Sequence, residues 1–225
     1  NKCFAMNIGK IPACVLLSGN DYRIDECILP SVISCRDLGI IVSRDLSNRE
    51  HINAIVLKAH QRANMILKCF VCKDIIVLLR AYNTYVRPIL EYNSVVWSPI
   101  LKCEIYALER KQRHFTKRLP GMSLLSYSDR LTRLDLITLE LRLDHNDLVM
   151  CYKIVFGLID LKFNDFFTFS PSGVSRGHEF KLYKTRAKGA RNSFFTTRVI
   201  NVWNSISPDT VDFNYSCTFK RTIKL

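Results

Sequence analysis

The stretch DIIVLLRAYNTYVRPILEYNSVVWSP, from Asp74 to Pro99, decides the fold of the middle of this chain. Its apolar residues recur three or four positions apart, a spacing that predicts one buried helical stripe: Ile75, Leu78, Leu79, Tyr82, Tyr85, Val86 and Ile89. Asp74 precedes the first of them, so we expect its carboxylate to cap the helix. Pro88 lacks the backbone N–H that the helix needs. The helix is therefore predicted to kink or end near Val86.

A second helix is predicted after Pro99, and it separates apolar from basic residues. Its apolar face carries Ile105, Leu108, Phe115 and Leu119. Its other face carries five cations and no acidic residue after Glu109, and we call this set the basic stripe: Arg110, Lys111, Arg113, Lys117 and Arg118. The Pro120-Gly121 pair is predicted to end the helix.

The flanking segments extend a mainly α fold with a small N-terminal β element. Residues 1–46 read as short strands and turns, including apolar runs at 3–8 and 13–17. A long helix is predicted from Asn48 to Phe70, with Lys58 and Arg62 on its outer face. Further helices are predicted over 124–139, 140–161 and 193–205, followed by a loosely docked tail over 207–225. Trp97 and Trp203 lie on apolar faces, so they are predicted to anchor the core.

The net charge of +13 is concentrated in two blocks of the chain. Residues 51–128 hold 12 Lys and Arg against 4 Asp and Glu, and residues 170–225 hold 10 against 3. The other segments are neutral or slightly acidic, so the pattern favours a polyanionic partner over a uniformly solubilising charge. Within the second block, a predicted basic loop over 170–192 carries Arg176, Lys181, Lys184, Arg186, Lys188 and Arg191.

The cysteines and apolar runs limit the class of protein. Nine cysteines without a repeating spacing argue against a disulfide framework and favour a reducing interior, the nucleus and cytoplasm. No apolar run approaches the ~18 residues that a membrane-spanning helix needs, so no membrane partner is expected. Cys69 and Cys72 have a zinc-like spacing, but no second Cys or His pair follows, so ordinary thiols are the preferred interpretation.

Several of these segments resemble the jockey-like non-LTR retrotransposon (LINE-type) reverse transcriptases, in the region that follows the catalytic palm. The resemblance is carried by Tyr85–Tyr92 (YVRPILEY), Trp97–Pro99 (WSP) and Gln112–Arg118 (QRHFTKR). It continues through Leu139–Leu148, Arg176–His178 and Phe194–Ser205, and so covers nearly the whole chain. One departure stands out at Asp144, where the family usually has an apolar residue. An unpaired carboxylate on such a face costs stability.

The resemblance implies three parts: the end of the palm over 1–46, a thumb-like three-helix unit over 47–121, and a C-terminal helical region over 122–225. Asn1-Lys2 resembles the end of a palm motif, and Leu38-Gly39 resembles the primer grip. The chain contains no Asp-Asp pair, which the polymerase needs to hold its magnesium ions. We therefore interpret the chain as a fragment with no cofactor of its own, whose palm and magnesium belong to the parent polymerase. On its own, it is expected to be catalytically inactive.

The resulting expectation is a non-catalytic chain that binds template–primer or target nucleic acid through basic helix faces. The predicted contacts are the basic stripe, Lys58, Arg62 and the cations of the 170–192 loop, because Lys and Arg at helical spacing can follow a phosphate backbone. The upstream palm of the same polyprotein is the other expected partner. Two alternatives stay open: a helical scaffold whose basic faces meet an acidic protein, and an inactive transposon relic.

Overall fold

The computed structural model describes residues 3–9, 22–71, 73–171, 177–208, 211–213 and 215–223. In this part of the chain the fold is mainly α with a small N-terminal β element, as the sequence predicts. The chain divides into two compact units, residues 1–55 and 56–225. The predicted boundary between residues 121 and 122 is not tested by this division and stays a prediction.

The first unit contains two β-hairpins. Strands β1 (Arg23–Ile24) and β2 (Cys27–Ile28) form one, and β3 (Ser34–Asp37) and β4 (Ile40–Ser43) form the other. In the second hairpin Asp37 pairs with Ile40, which leaves a two-residue loop made of Leu38 and Gly39. Both loop residues have positive φ, as a tight hairpin turn requires. Ala5 of the predicted 3–8 run makes a bridge to Ser31, whereas the predicted 13–17 run lies outside the described residues.

Helix α1 (Arg49–Cys69) matches the predicted helix over 48–70. It is followed by α2 (Ile75–Tyr85), α3 (Arg87–Glu91) and α4 (Ser94–Trp97). The Asp74 carboxylate accepts hydrogen bonds from the N–H groups of Ile76 (2.6 Å) and Val77 (3.3 Å), so the predicted cap is confirmed. The predicted break at Pro88 is also confirmed, because α2 ends at Tyr85 and the proline opens α3. One detail is wrong: Tyr85, placed on the buried stripe, is 57% exposed.

Helix α5 (Lys102–Lys117) is the predicted basic helix, and α6 (Tyr127–Arg133) and α7 (Leu139–Val155) follow it. Leu108, Phe115 and Leu119 are buried, in agreement with the predicted apolar face. The helix predicted over 124–139 is shorter than expected because Ser126 caps its start and Asp135 takes a left-handed conformation after its end. The helix predicted over 140–161 ends at Val155.

Helix α7 is the central element of the second unit and packs against α4, α5, α9 (Phe195–Asn204) and α10 (Ser216–Thr222). Trp97 and Trp203 are fully buried, which confirms their predicted role as core anchors. The prediction of a loose tail is wrong. Phe219 of α10 is fully buried and stacks on Tyr152 with ring centroids 4.2 Å apart. A short helix, α8 (Phe163–Phe166), and a 3₁₀ turn (Gly189–Ser193) complete the described elements.

Two partly buried ion pairs join segments that are distant in sequence. Arg142 of α7 forms a bidentate pair with Glu91 of α3, with Nη2 to Oε2 at 3.0 Å. Arg198 of α9 forms a second bidentate pair with Asp147 of α7, at 2.7 and 3.0 Å. Arg198 also donates to the carbonyl of Val95, 103 residues earlier, at 2.6 Å. The segments that carry the family resemblance are therefore bonded to one another.

Candidate nucleic-acid interface

The basic stripe lies on the solvent side of α5. Arg110, Arg113, Lys117 and Arg118 are exposed, and Lys111 is half-buried. Arg118 follows the last helical residue, as its cap. Within the described residues, none of the five forms an ion pair with a carboxylate. Five cations thus occupy one helix face without an acidic partner.

The acidic residues of the same helix point inward. Glu104 and Glu109 are buried, at 9% and 7% exposure. The Glu109 carboxylate accepts hydrogen bonds from the Tyr127 hydroxyl and from the N–H of Leu139, the latter at 2.8 Å. Both carboxylate oxygens of Glu109 are therefore used in bonds to the core, one of them to the start of α7. Glu109 thus anchors α5 to the core and does not neutralise the exposed cations.

Gln112, like Glu109, lies on the inner face of α5 and bonds to the segment that leads into α7. Its amide nitrogen donates to the carbonyl of Ile137 (2.9 Å) and to the Tyr127 hydroxyl (3.1 Å). The Tyr82 hydroxyl lies 3.4 Å from its amide oxygen. Burial raises the pKa of Tyr127 above its usual range, and the hydrogen bond to Glu109 raises it further. The phenol therefore stays protonated and keeps donating, which fixes the rotation of α5 and thus the direction of the basic stripe.

Arg113 lies beside two tyrosine rings. Its guanidinium carbon is 4.5 Å from the centroid of Tyr127 and 5.9 Å from that of Tyr106. Tyr106 is 55% exposed and stands one turn before Arg110. The guanidinium plane is therefore supported by aromatic faces, an arrangement that also limits its conformational freedom.

A second helix contributes polar groups beside the stripe. The imidazoles of His60 on α1 and His114 on α5 lie with ring centroids 5.3 Å apart. The Asn64 amide nitrogen is 3.0 Å from His60 Nε2, and the Asn64 oxygen accepts from Arg118 at 2.9 Å. Helical spacing within α5 could not reveal His60 and Asn64, because they come from another helix. One signal in the sequence could have indicated this side of α5. Residues three and four apart lie on the same side of a helix, as Lys111, His114 and Arg118 do, and this side faces α1.

The electrostatics of these groups report a strongly positive surface. Burial, and then the charges of Lys111, Arg110 and Arg118, lower the pKa of His60. The pKa of His114 is lowered by burial and by the same cations, together with His60. Burial and Arg110 lower the pKa of Lys111. All the charges that act on the two imidazoles are cationic, so an anion placed here would be attracted by each of them.

The remaining predicted contacts are distributed over other surfaces. Lys58 and Arg62 are exposed, but each is two positions from His60 and so lies about 200° around α1 from it. Lys58 and Arg62 therefore do not lie on the side of α1 that contacts the basic stripe through His60. Cys69 is exposed and Cys72 lies outside the described residues. In the described part of the chain no group of three His, Cys, Asp or Glu side chains is placed to hold a metal ion.

The basic loop is only partly free. Lys184, Arg186, Lys188 and Arg191 are exposed, Lys181 is half-buried, and Arg176 lies outside the described residues. Lys184 donates to the side-chain oxygen of Asn201 at 2.9 Å. His178 is buried against Trp203, with Nε2 2.9 Å from the Trp203 carbonyl.

The primer-grip-like residues occupy the tip of the β3–β4 hairpin. Leu38 is 80% exposed and has φ of 44°, a conformation that non-glycine residues seldom adopt. Gly39 beside it has φ of 86°. The structure thus presents an apolar side chain at a strained hairpin tip.

Comparisons with known proteins give one partial likeness. Uncharacterized protein B0403.1 of Caenorhabditis elegans is 31% identical over 100 residues, which cover 43% of this chain and half of the worm protein. No family model matches the chain, and no solved structure matches it. In the described part of the chain, no helix is both long and apolar enough to span a membrane.

Proposed function

We propose that this chain is the region C-terminal to the palm of a LINE-type reverse transcriptase and that it binds nucleic acid without catalysing polymerisation. One observation carries the binding proposal: four of the five cations of the basic stripe are exposed, and none of the five has a carboxylate partner among the described residues. Such a face can replace the counterions of a phosphate backbone and gain affinity from their release. The proposed ligand is template–primer or target nucleic acid (an RNA–DNA hybrid, RNA or DNA), and an RNA–DNA hybrid is the probe for the tests.

The arrangement of α5 supports a rigid contact surface. Glu109 and Gln112 bind the neighbouring α6–α7 segment on the inner side, so the outer side keeps one orientation. Contacts to phosphate position a ligand and carry no base preference. The expected binding is therefore tolerant of sequence and sensitive to salt.

The wider assignment rests on the resemblance alone. In it, the upstream palm of the same polyprotein supplies the catalytic carboxylates and magnesium. The Leu38-Gly39 hairpin tip supplies a primer contact. The cysteine pattern of the sequence favours a reducing location in the nucleus and cytoplasm. The rival functions, an interaction module for an acidic protein and an inactive relic, are outcomes of the tests below.

Charge reversal tests the interface. We expect the Arg110→Glu, Lys111→Glu, Arg113→Glu and Lys117→Glu variant to bind an RNA–DNA hybrid at least about a hundredfold more weakly than the unaltered chain. The matched control reverses four exposed cations outside the proposed surface: Arg80, Arg133, Lys162 and Lys220. It changes the net charge equally and should retain most of the affinity.

Circular dichroism and thermal melting must show that both variants are folded. Equal losses in the two folded variants would mean that net charge alone attracts the ligand. Unchanged affinity in the stripe variant would refute the proposed interface. If the unaltered chain binds an acidic protein but no hybrid, the interaction-module function replaces this one.

A further inference from the structure

Side chains of α1 and α5 meet in a polar cluster, called the notch here, that combines two cations of the basic stripe with residues from outside it. His60 faces His114, and one turn further along both helices Asn64 bonds to Arg118. The two contacts advance together, so the helices run in the same direction at this place, with successive contacts about 6 Å apart. Lys111 stands one turn before His114 and Arg118 one turn after it, which brings two permanent cations to the pair of imidazoles.

The polar groups in the notch are donors or potential donors to an anion. Arg118 uses one guanidinium nitrogen, Nη1, on Asn64 and keeps other N–H groups available. Lys111 makes no ion pair with a carboxylate in the described residues. Each neutral imidazole has one N–H. In His60 it lies on Nδ1, because Nε2 accepts from the Asn64 amide, and a second proton on Nε2 displaces that amide. Arginine, lysine and protonated histidine together are the side chains that best bind a phosphate group.

We propose that the notch formed by His60, Lys111, His114 and Arg118 binds one phosphate of the nucleic acid and that its two histidines take up protons when it does. The inference rests on the proposed function and adds a defined phosphate subsite with a pH signature. The charged groups facing the imidazoles are Arg110, Lys111 and Arg118 on α5, and none of them is acidic. A bound phosphate is the counter-charge that this group of side chains lacks.

The proton linkage has a definite direction. In the free chain burial and the neighbouring cations lower the pKa of both imidazoles below 6.5, so both are neutral at pH 7.5. A phosphate beside them favours the charged form and raises each pKa. Affinity therefore increases as the pH falls through the pKa of the bound state and levels off below that of the free state. A rise of one unit in one imidazole strengthens binding about tenfold at low pH.

The test measures hybrid affinity from pH 8 to pH 5.5 in the unaltered chain and in a His60→Gln, His114→Gln variant. Glutamine keeps a polar side chain but cannot titrate. We expect the affinity of the unaltered chain to increase at least about tenfold more than that of the variant. A His145→Gln variant is the matched control, because His145 is a half-buried histidine of α7 whose charged neighbours are Arg142, Lys220 and Glu91. It should behave like the unaltered chain.

Imidazole proton resonances provide a second readout that separates the two proposals. With saturating hybrid, the pKa of His60 and His114 should rise and that of His145 should stay constant. If the hybrid binds at pH 7.5 while both values stay constant and the double variant keeps the same pH dependence, the notch is refuted and the proposed function stands. If no hybrid binds, the proposed function fails. The notch can then be tested separately with inorganic phosphate as the ligand. A rise in the pKa of both histidines would support an anion site, and constant pKa values would refute it.

Discussion

The second unit holds two groups of cationic side chains that differ in their surroundings. Arg142 and Arg198 are enclosed by the helices, with side chains 29% and 12% exposed, and each forms a bidentate pair with a carboxylate. The basic stripe of α5 is mostly exposed and has no such partner in the described residues. Cations of the first kind join distant segments of the fold. Those of the second kind neutralise no carboxylate in the described residues, so their charge remains available to a ligand.

The difference also appears in the energetics of burial. Burial raises the pKa of Asp147, although the hydrogen bonds and charge of Arg198 lower it. The cost of removing that carboxylate from water is thus offset only in part by its partner. A basic residue on the surface carries no comparable cost. Mutations in the two groups should therefore affect different properties: stability in the first and binding in the second.

The largest effect is expected from Arg198→Ala. The substitution leaves the buried Asp147 carboxylate without its partner and removes donors to the carbonyls of Val95 and Ser193. We expect the free energy of unfolding to fall by about 3–5 kcal/mol, measured by chemical denaturation. A loss below about 1 kcal/mol would show that the pair does not hold α9 to α7 and α4.

A smaller loss is expected from Arg142→Ala. Glu91 would lose its bidentate partner, but its side chain keeps 15% exposure and retains Arg87 at 3.6 Å. The expected loss in the free energy of unfolding is about 1.5–3 kcal/mol. Arg87→Ala is the matched control, because it leaves the bidentate pair intact and should cost less than about 1 kcal/mol. Equal losses in the two variants would contradict the importance of the α3–α7 pair.

Asp144 is a charge of the opposite kind, a half-buried carboxylate with no ion-pair partner in the described part of the chain. Burial, followed by the charges of the nearby Asp147 and Glu140, raises its pKa to about 6, although Arg198 lowers it. Asp144→Asn should therefore stabilise the chain at pH 7, by about 1 kcal/mol once solvent screening is allowed for.

The pH dependence of the same variant checks the sign. The folded state holds the Asp144 proton more tightly than the unfolded state, for which the usual pKa is 3.8. The stability of the unaltered chain relative to the variant should rise as the pH falls from about 6 and become constant below about 4. If the difference in stability between the unaltered chain and the variant does not change with pH, the Asp144 carboxylate does not destabilise the fold. That result would weaken the relic interpretation.

The smallest effect on stability is expected from Lys117→Ala. Its side chain is exposed and has no carboxylate partner in the described residues, so the free energy of unfolding should change by less than about 0.5 kcal/mol. The same substitution should reduce the salt slope of hybrid binding by about one. Lys102→Ala, at the other end of α5, is the control and should change neither quantity. A stability loss above 1 kcal/mol would place Lys117 with the structural cations.

The local features of the fold could be predicted from the sequence because their causes are local. Asp74 caps the next two N–H groups, and Pro88 ends α2 through its own missing N–H. The spacing within α5 correctly predicts that Leu108 and Phe115 are buried. The basic stripe is exposed for the same reason, since it occupies the opposite face of that helix.

The long-range features could not be predicted, because periodicity within a helix does not identify its neighbour. The contact of His60 with His114 and the bond from Arg198 to Val95 join residues far apart in the chain. The sequence does not reveal the docking of α10, because this short helix offers one pair of buried apolar residues, Phe219 and Ile223, which is too few for a periodic signal. Likewise, the helical spacing predicts that Lys58 and Arg62 lie on the outer face of α1, but it does not identify the side of α1 that contacts α5.

The most direct test of the central claim is the affinity for an RNA–DNA hybrid between about 50 and 200 mM salt. We predict a plot of log affinity against log salt with a slope of about −3 to −5, as expected for about four or five phosphate contacts. Replacing Arg110, Lys111, Arg113 and Lys117 by alanine should reduce that slope to between about 0 and −1 in a folded chain. A slope that the four substitutions leave unchanged, or the absence of hybrid binding at 50 mM salt, would contradict the assignment of the α5 cations to nucleic acid.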